Sequence, residues 1–272
     1  MTSRREQSAT YLILGVFALI ALLPIVGIIF TALQKPGGGA SFGTFDGLHF
    51  NNFSRAWKDG SFDIYLKSSA IVAVSVVSIS TVVSILAGYA FGMMRFRFAQ
   101  PLFYIFLLGL MVPMEAMIVP LYYDLRDLGL TDTYWALILP QAGTSIAFGT
   151  FWMRAFFRSV PPSLVEAARI DGASSWFTLW RVLLPLARPA VLTMVVLLFM
   201  WTWNEFLLAL VMVTDEGLRT APLGLSFFLG RNQADLTLLA AGAVIVATPV
   251  VVLYVFLQRH FIRGMVSGAV KG

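Results

Sequence analysis

Residues 68–94 read SSAIVAVSVVSISTVVSILAGYAFGMM. The length and near-uniform apolarity of this run decide the fold. A helix needs about 20 mostly apolar residues to cross the hydrocarbon core of a bilayer. In lipid the backbone must satisfy its own hydrogen bonds, which a helix does and an open strand does not. Barrel strands alternate apolar and polar positions, and this run does not. Five further stretches meet the same requirement: 11–33, 101–123, 135–153, 189–213 and 236–257. The fourth in chain order is the weakest, because Pro140, Gln141 and Gly143 interrupt it. The sequence therefore predicts an all-α integral membrane protein, with six transmembrane helices in one domain spanning residues 1–272.

Composition agrees. Of 272 residues, 58% are hydrophobic and 12% charged, with a mean hydropathy of +0.82. Soluble domains carry roughly a quarter charged residues. A water-soluble globular protein and a disordered chain are both excluded. Cysteine is absent, so disulfides, thiol nucleophiles and thiolate metal sites are excluded as well. The two histidines, His49 and His260, lie far apart in sequence, and no metal site is expected. A net charge of +5 and a pI near 9.7 raise the question of nucleic acid. The basic residues are not clustered on a soluble domain, however, and nucleic acid is not an expected partner.

Their distribution speaks instead to orientation. With the N-terminus inside, 12 of the 19 Lys and Arg residues fall on the inner side. These include Arg95, Arg97, Arg154, Arg158, Arg169, Arg181 and Arg188. The positive-inside rule then places both termini in the cytoplasm. Arg4 and Arg5 ahead of an apolar run resemble a signal peptide, but the run exceeds a signal core and no A-x-A-like site follows, so the first span is expected to stay as an anchor. Outside, residues 34–67 form the longest polar connection. Gly37, Gly38 and Gly39 break it, and Phe42, Phe45, Phe50, Phe53, Trp57 and Phe62 suit an aromatic belt or a small packed loop. Residues 124–133 make a short outer turn, and 214–235 a longer outer loop in which Asn232, Gln233 and Asp235 are candidates to meet an external protein.

The inner loop between the fourth and fifth spans is more specific. Residues 156–189 read FFRSVPPSLVEAARIDGASSWFTLWRVLLPLARP. Pro161 and Pro162 stop the preceding helix. Ser163 lies three residues before Glu166, the capping-box spacing, so a short helix is predicted to start there. Gly172 is a plausible stop. Ser174 or Ser175 can start a second helix over 176–184, which Pro185 bends or ends. Leu164, Ala168 and Gly172 share one stripe of the first helix, and Ala167 and Ala168 are small enough for another backbone to approach. Singly, each residue suits an ordinary capped helix.

Together they form a pattern. Glu166-Ala167-Ala168, three residues, Gly172, nine residues and Val182-x-Leu184-Pro185 resemble the EAA loop of ABC importer permeases, with Val182 in place of the usual Ile. The string 166–174, EAARIDGAS, is similar to the carbohydrate-uptake branch, in particular to the smaller permease of maltose-type systems. Pro113, the run 118–122 (IVPLY), Gly129-Leu130-x-Asp132-Thr133 and the run 203–206 (WNEF) resemble the same family. The resemblance implies a type I importer fold in which the loop is a cytoplasmic coupling helix. Glu166, Ala167, Ala168, Asp171, Gly172 and Pro185 would then meet a separate ATPase, with Glu166 facing an Arg of that subunit. It also implies a second, related permease, two ATPase subunits and an extracytoplasmic solute-binding protein. The chain has no G-x-x-x-x-G-K-[ST] pattern, so ATP and Mg are expected on the partner ATPases, with no cofactor and no catalysis on this chain.

Two acids fall within predicted spans, Glu115 in the third and Glu205 in the fifth. A charge at the bilayer centre costs ~2.5–3.5 kcal/mol on insertion scales, so such residues usually face a cavity or partner. Trp201, Trp203, Asn204 and Glu205 combine flat apolar faces with polar groups, which suits sugar recognition along a path. The same residues suit hydrogen bonding between helices. Glu115, between Pro113 and Pro120, suits a structural or gating role. A proton-coupled secondary transporter would use intramembrane acids, but no inverted repeat is visible and the loop motif would go unexplained. A membrane enzyme would need clustered His, Cys or carboxylates, which the sequence does not supply.

Overall fold

The computed structural model describes residues 4–36, 47–229 and 235–269, with side chains from 6 to 258 within those ranges. Gly37, Gly38, Gly39, Phe42, Phe45, Asn232 and Gln233 lie outside them. The described residues are helical, with no strand among them.

Two compact units are distinguished. The first comprises Met1–Asp63 and Leu223–Pro249, the second Ile64–Pro222 and Val250–Gly272. In the first, α1 (Arg4–Ala32) is apolar around its circumference and unburied along its most apolar stretch, with Ala32 buried at its end. That is the property of a helix whose solvent is lipid or another subunit. The long connection after it holds a helix, α2 (Asn51–Asp59). Buried Asn52 donates to the carbonyls of Ala32 and Gln34, at 2.8 Å each, and so ties α2 to the end of α1. Phe62 is fully buried and stacks on Phe228, whereas Phe50 and Trp57 stay exposed.

The second span begins earlier than predicted, as α3 (Phe62–Met93). The third does not form one straight helix. It is broken into α4 (Ala99–Met111) and α5 (Met114–Asp127), bent by 98°. Pro113 causes the break, because Val112 before it is forced into extended backbone and Pro113 donates no hydrogen bond. The fourth is a continuous 26-residue helix, α6 (Tyr134–Ser159). Polar and small residues from Pro140 to Ser145 dilute its apolar character, and it is not among the four helices long and apolar enough to cross a membrane: Glu6–Ala32, Phe62–Met93, Ser175–Trp203 and Leu236–Gln258. Counting the bent pair as one span gives five. The last helix, α12 (Leu236–Ala269), begins where predicted. Asp235 caps it, accepting from the amides of Thr237 and Leu238 at 3.1 and 3.0 Å. Its carboxylate thus serves the helix rather than standing free in a loop.

The core of the second unit explains how α3 and α6 come together. Tyr89, Met153, Phe157, Leu179, Leu183, Met194 and Leu198 are buried against one another. A Cβ on Gly88 would lie 2.5 Å from Met153 Cβ, so the missing side chain lets the two backbones approach, the usual device of membrane helix packing. At the opposite end of α3 the predicted outer loop is ordered into turns, including Glu216–Leu218 and α11 (Ala221–Gly224). Tyr65 donates to Glu216 at 3.0 Å, Ser68 to the Gly217 carbonyl at 3.1 Å, and the Ala221 amide to Ser69 at 2.9 Å. The turn after α5 joins it. Asp132, at φ +55°, accepts from the Thr214 hydroxyl and from the amides of Thr214 and Asp215. Those bonds hold its carboxyl below the ordinary value of 3.8, the Thr214 hydroxyl contributing most.

Candidate functional site

The loop predicted to lie on the inner side folds into a short helix, α7 (Pro162–Ile170). Its start differs from the expectation. Pro161 is the N-cap in extended backbone and Pro162 the first helical residue, so Ser163 sits inside the first turn and forms no capping box with Glu166. Proline is preorganised for the first helical position and loses no donor there, which decides between the two prolines and the serine. The end is as expected. Gly172 has φ +80°; its amide donates to the Arg169 carbonyl at 3.0 Å, and the Ala173 amide reaches back to the Ala168 carbonyl at 2.9 Å. This is a Schellman closure.

Ser174 then caps the next helix, accepting from the Phe177 amide at 3.2 Å. The helix runs through α8 (Ser175–Phe177), a π-wound segment Thr178–Leu183 and α9 (Leu184–Trp203). Pro185 neither ends nor separates it. The widened π turn lies just before the proline, where an α turn would meet the missing donor and the ring. The turn at Gly172 and Ser174 thus joins α7 to a 29-residue apolar helix, Ser175–Trp203.

No residue of α7 is buried. Ile170 is 86% exposed, Trp176 64% and Phe177 53%. The small-residue stripe opens on a concavity of about 710 Å³ lined by Leu164, Ala167, Ala168, Asp171, Gly172 and Phe177. Glu166 faces the other flank, a cavity of about 940 Å³ that also holds Arg95, Arg158 and Arg169. The six predicted loop residues are thus divided. Four line one concavity, Glu166 lies across the helix from them, and Pro185 is on the following helix.

The predicted polar residues of the spans separate further. The fifth span stops at Trp203, ten residues before its expected end. Asn204 closes it, its side chain donating to the Met200 carbonyl at 2.7 Å. Glu205 accepts from the Leu208 amide at 2.7 Å and so starts α10 (Leu207–Met212). Trp203 is buried, stacked on Phe199, with no face for a solute. Trp201 is exposed and meets Phe148 edge-on at 4.7 Å. Together with Glu205 these two rings line a cavity of about 360 Å³ whose polar wall is Gln141, Thr144, Ser145 and Thr202. Glu115 does not line it. That acid is exposed in the first turn of α5, where a negative charge suits the helix dipole.

Residues 80–267 match the family of binding-protein-dependent transport system inner membrane components. The chain belongs to this family. It is 30% identical over 270 residues to a diacetylchitobiose uptake system permease of Streptomyces coelicolor, covering 98% of this chain and 89% of that one. It is 32% identical over 256 residues to a trehalose transport system permease of Mycobacterium tuberculosis, covering 93% of each. The fold matches a chain in the crystal structure of a bacterial ABC transporter involved in alginate import, with a TM-score of 0.81 at 26% identity, over 96% of this chain and 99% of that one. The protein is a multi-pass ABC transporter permease, the non-catalytic membrane subunit of such a system. Sequence reasoning missed the polar wall of this permease's cavity, Gln141, Thr144 and Ser145. The signal was present as the interruption of the fourth span, which reads as weakness in a hydropathy profile and as lining once α9 is placed beside it.

Proposed function

We propose that this permease forms half of the translocation path of an ATP-driven importer for a sugar-like solute, paired with a second related permease. The single observation that carries the reading is α7, a short helix with no fully buried residue and an apolar-and-small concavity, joined by one tight turn to a long apolar helix. It is the coupling helix. An ATPase subunit seats in the concavity, Glu166 meets a basic residue on that partner's flank, and closure of the ATPase pair around ATP and Mg moves α7 and then α9. The basic-residue count puts α7 and both termini in the cytoplasm. The bent pair α4–α5 then serves as the third of six spans and α6 as the fourth, its polar stretch facing the path rather than lipid.

The solute class rests on the cavity and on the relatives. A Trp201–Phe148 pair beside amide, hydroxyl and carboxylate groups supplies an apolar ring face and hydrogen-bonding partners together. Diacetylchitobiose and trehalose are the named solutes of two relatives. An extracytoplasmic binding protein delivers the solute, as the family description names such a component. The reading is tested by filling the concavity. With Ala168→Trp, the inserted permease loses its ATPase on purification and ATP-driven uptake stops; a complete complex with normal uptake would overturn it.

A further inference from the structure

On the flank of α6 away from the α7 concavity, a pocket of about 550 Å³ is walled by Arg95, Arg154 and Arg158 and contains no acidic residue. Arg154 and Arg158 lie one turn apart on α6, where like charges repel. Among the described residues neither these two nor Arg95 forms an ion pair. Arg154 is fixed in place: its guanidinium lies 3.8 Å from the centre of the Phe103 ring, and its Nε donates to the Phe91 carbonyl at 3.3 Å. Residues 94–98 read MRFRF, and Met94, Phe96 and Phe98 are exposed on the pocket's rim. Phe98 holds φ +65°, a conformation that costs a non-glycine residue energy and persists only where its surroundings impose it. A packed Arg154 with exposed Arg95 and Arg158 beside exposed aromatic and thioether groups, at the end of membrane helices, matches the level where phosphate headgroups give way to acyl chains.

We infer that the pocket walled by Arg95, Arg154 and Arg158 holds the phosphate of an anionic phospholipid of the inner leaflet, its chains lying against Met94, Phe96 and Phe98. The leaflet rests on the orientation given under Proposed function; the binding chemistry does not. A water-filled pocket would leave the repulsion along α6 in place, whereas a phosphodiester offers two oxygens sharing one negative charge to a planar fork already oriented by Phe103. The lipid would hold the α3–α4 turn against α6 beside the coupling helix, since the neighbouring cavity that contains Glu166 shares Gly92, Met94, Arg95 and Arg158 with this one.

The test uses the complete transporter purified in detergent and native mass spectrometry with added phosphatidylglycerol, phosphatidylcholine or inorganic phosphate. The wild-type complex should retain phosphatidylglycerol in preference to phosphatidylcholine, undisturbed by millimolar phosphate. Arg95→Gln with Arg158→Gln, leaving the packed Arg154 alone, should weaken retention by about thirtyfold, the equivalent of two surface-level basic contacts. Arg181→Gln, on the inner side but outside the pocket, should not. Equal retention in the double variant, an equal loss in Arg181→Gln, no preference for the anionic lipid, or displacement by phosphate would each overturn the site. So would a double variant that keeps the lipid and sheds the ATPase, because an acidic surface of that subunit would then be the occupant. A complex that couples ATP hydrolysis to uptake yet holds no phosphatidylglycerol sinks the lipid site alone; a wild-type complex with full lipid and no coupling sinks the functional reading alone.

Discussion

Replacing Gly172 by alanine isolates the conformation of the knob from its contacts. The glycine is exposed at φ +80°, and a Cβ built on it would meet nothing within 4 Å. Steric clash with neighbours therefore contributes nothing, and the cost is that of the left-handed backbone alone, about 1–2 kcal/mol for an ordinary L-residue. That cost favours chains in which the turn has opened and the bonds from the Gly172 and Ala173 amides to Arg169 and Ala168 are lost. An ATPase that recognises only the closed turn then binds with an apparent affinity reduced by the closed fraction. The closed-to-open ratio falls about five- to thirtyfold, and the affinity by up to that factor. Asparagine tolerates the left-handed region far better, so Gly172→Asn should keep most of the affinity while carrying a larger side chain. The assay is titration of purified ATPase onto permease in nanodiscs, with ATP-driven uptake in proteoliposomes beside it. Equal behaviour of the Ala and Asn variants would refute the reasoning, because bulk rather than backbone conformation would then be at work. Wild-type affinity in Gly172→Ala would refute it too, since the Schellman closure would then be irrelevant to docking.

Gly88→Ala should lower the melting temperature of the detergent-solubilised permease. Its Cβ would collide with Met153 and the α6 backbone, and overpacking of this kind costs about 1–3 kcal/mol. Asp132→Asn removes charge while keeping a side chain that tolerates φ +55°. Because the folded pKa is depressed below 3.8, the stabilisation is fully present above that value and fades as pH falls through the folded pKa. The variant should therefore melt below wild type at neutral pH, and the gap should close on acidification below about pH 4. Trp201→Ala should reduce uptake at low solute by about two- to tenfold, the worth of an aromatic contact, with the ATPase still bound; unchanged uptake would remove Trp201 from the path.

The parts of the fold that sequence reasoning reached are those fixed by one strong local signal. The apolar runs of α3 and α12 admit no alternative to helix in lipid, and Gly172 and Ser174 mark a stop and a start that the backbone then obeys. Errors arose where two signals of similar strength competed. Ser163 and Pro162 both favour the start of α7, and proline won because the first helical amide needs no partner. Pro185 reads as a terminator, yet one widened turn lets the helix continue, and nothing in the local sequence announces a π turn.

The end of the fifth span shows the same competition with a functional consequence. Residues 204–205 are two polar positions in a run that is otherwise apolar to Val213, and hydropathy averaged over a membrane-length window passes over them. The helix breaks where Glu205 takes the Leu208 amide that a continued helix would give to the Asn204 carbonyl. Asn204 closes the last turn, its side chain and its own amide both donating to the Met200 carbonyl. Non-helical backbone at membrane depth is tolerated only where protein or a water-filled cavity surrounds it, and the cavity of Trp201, Glu205 and Gln141 lies at that point. If the break exists to serve the cavity, then Glu205→Met, which removes the capping acceptor while keeping side-chain length, should extend α9 and close the cavity. Accessibility of a cysteine placed at Thr144 to a membrane-impermeant thiol reagent would then fall in the otherwise cysteine-free chain. Undiminished labelling would mean that the cavity stands without the break, and that Glu205 caps a helix and does nothing more.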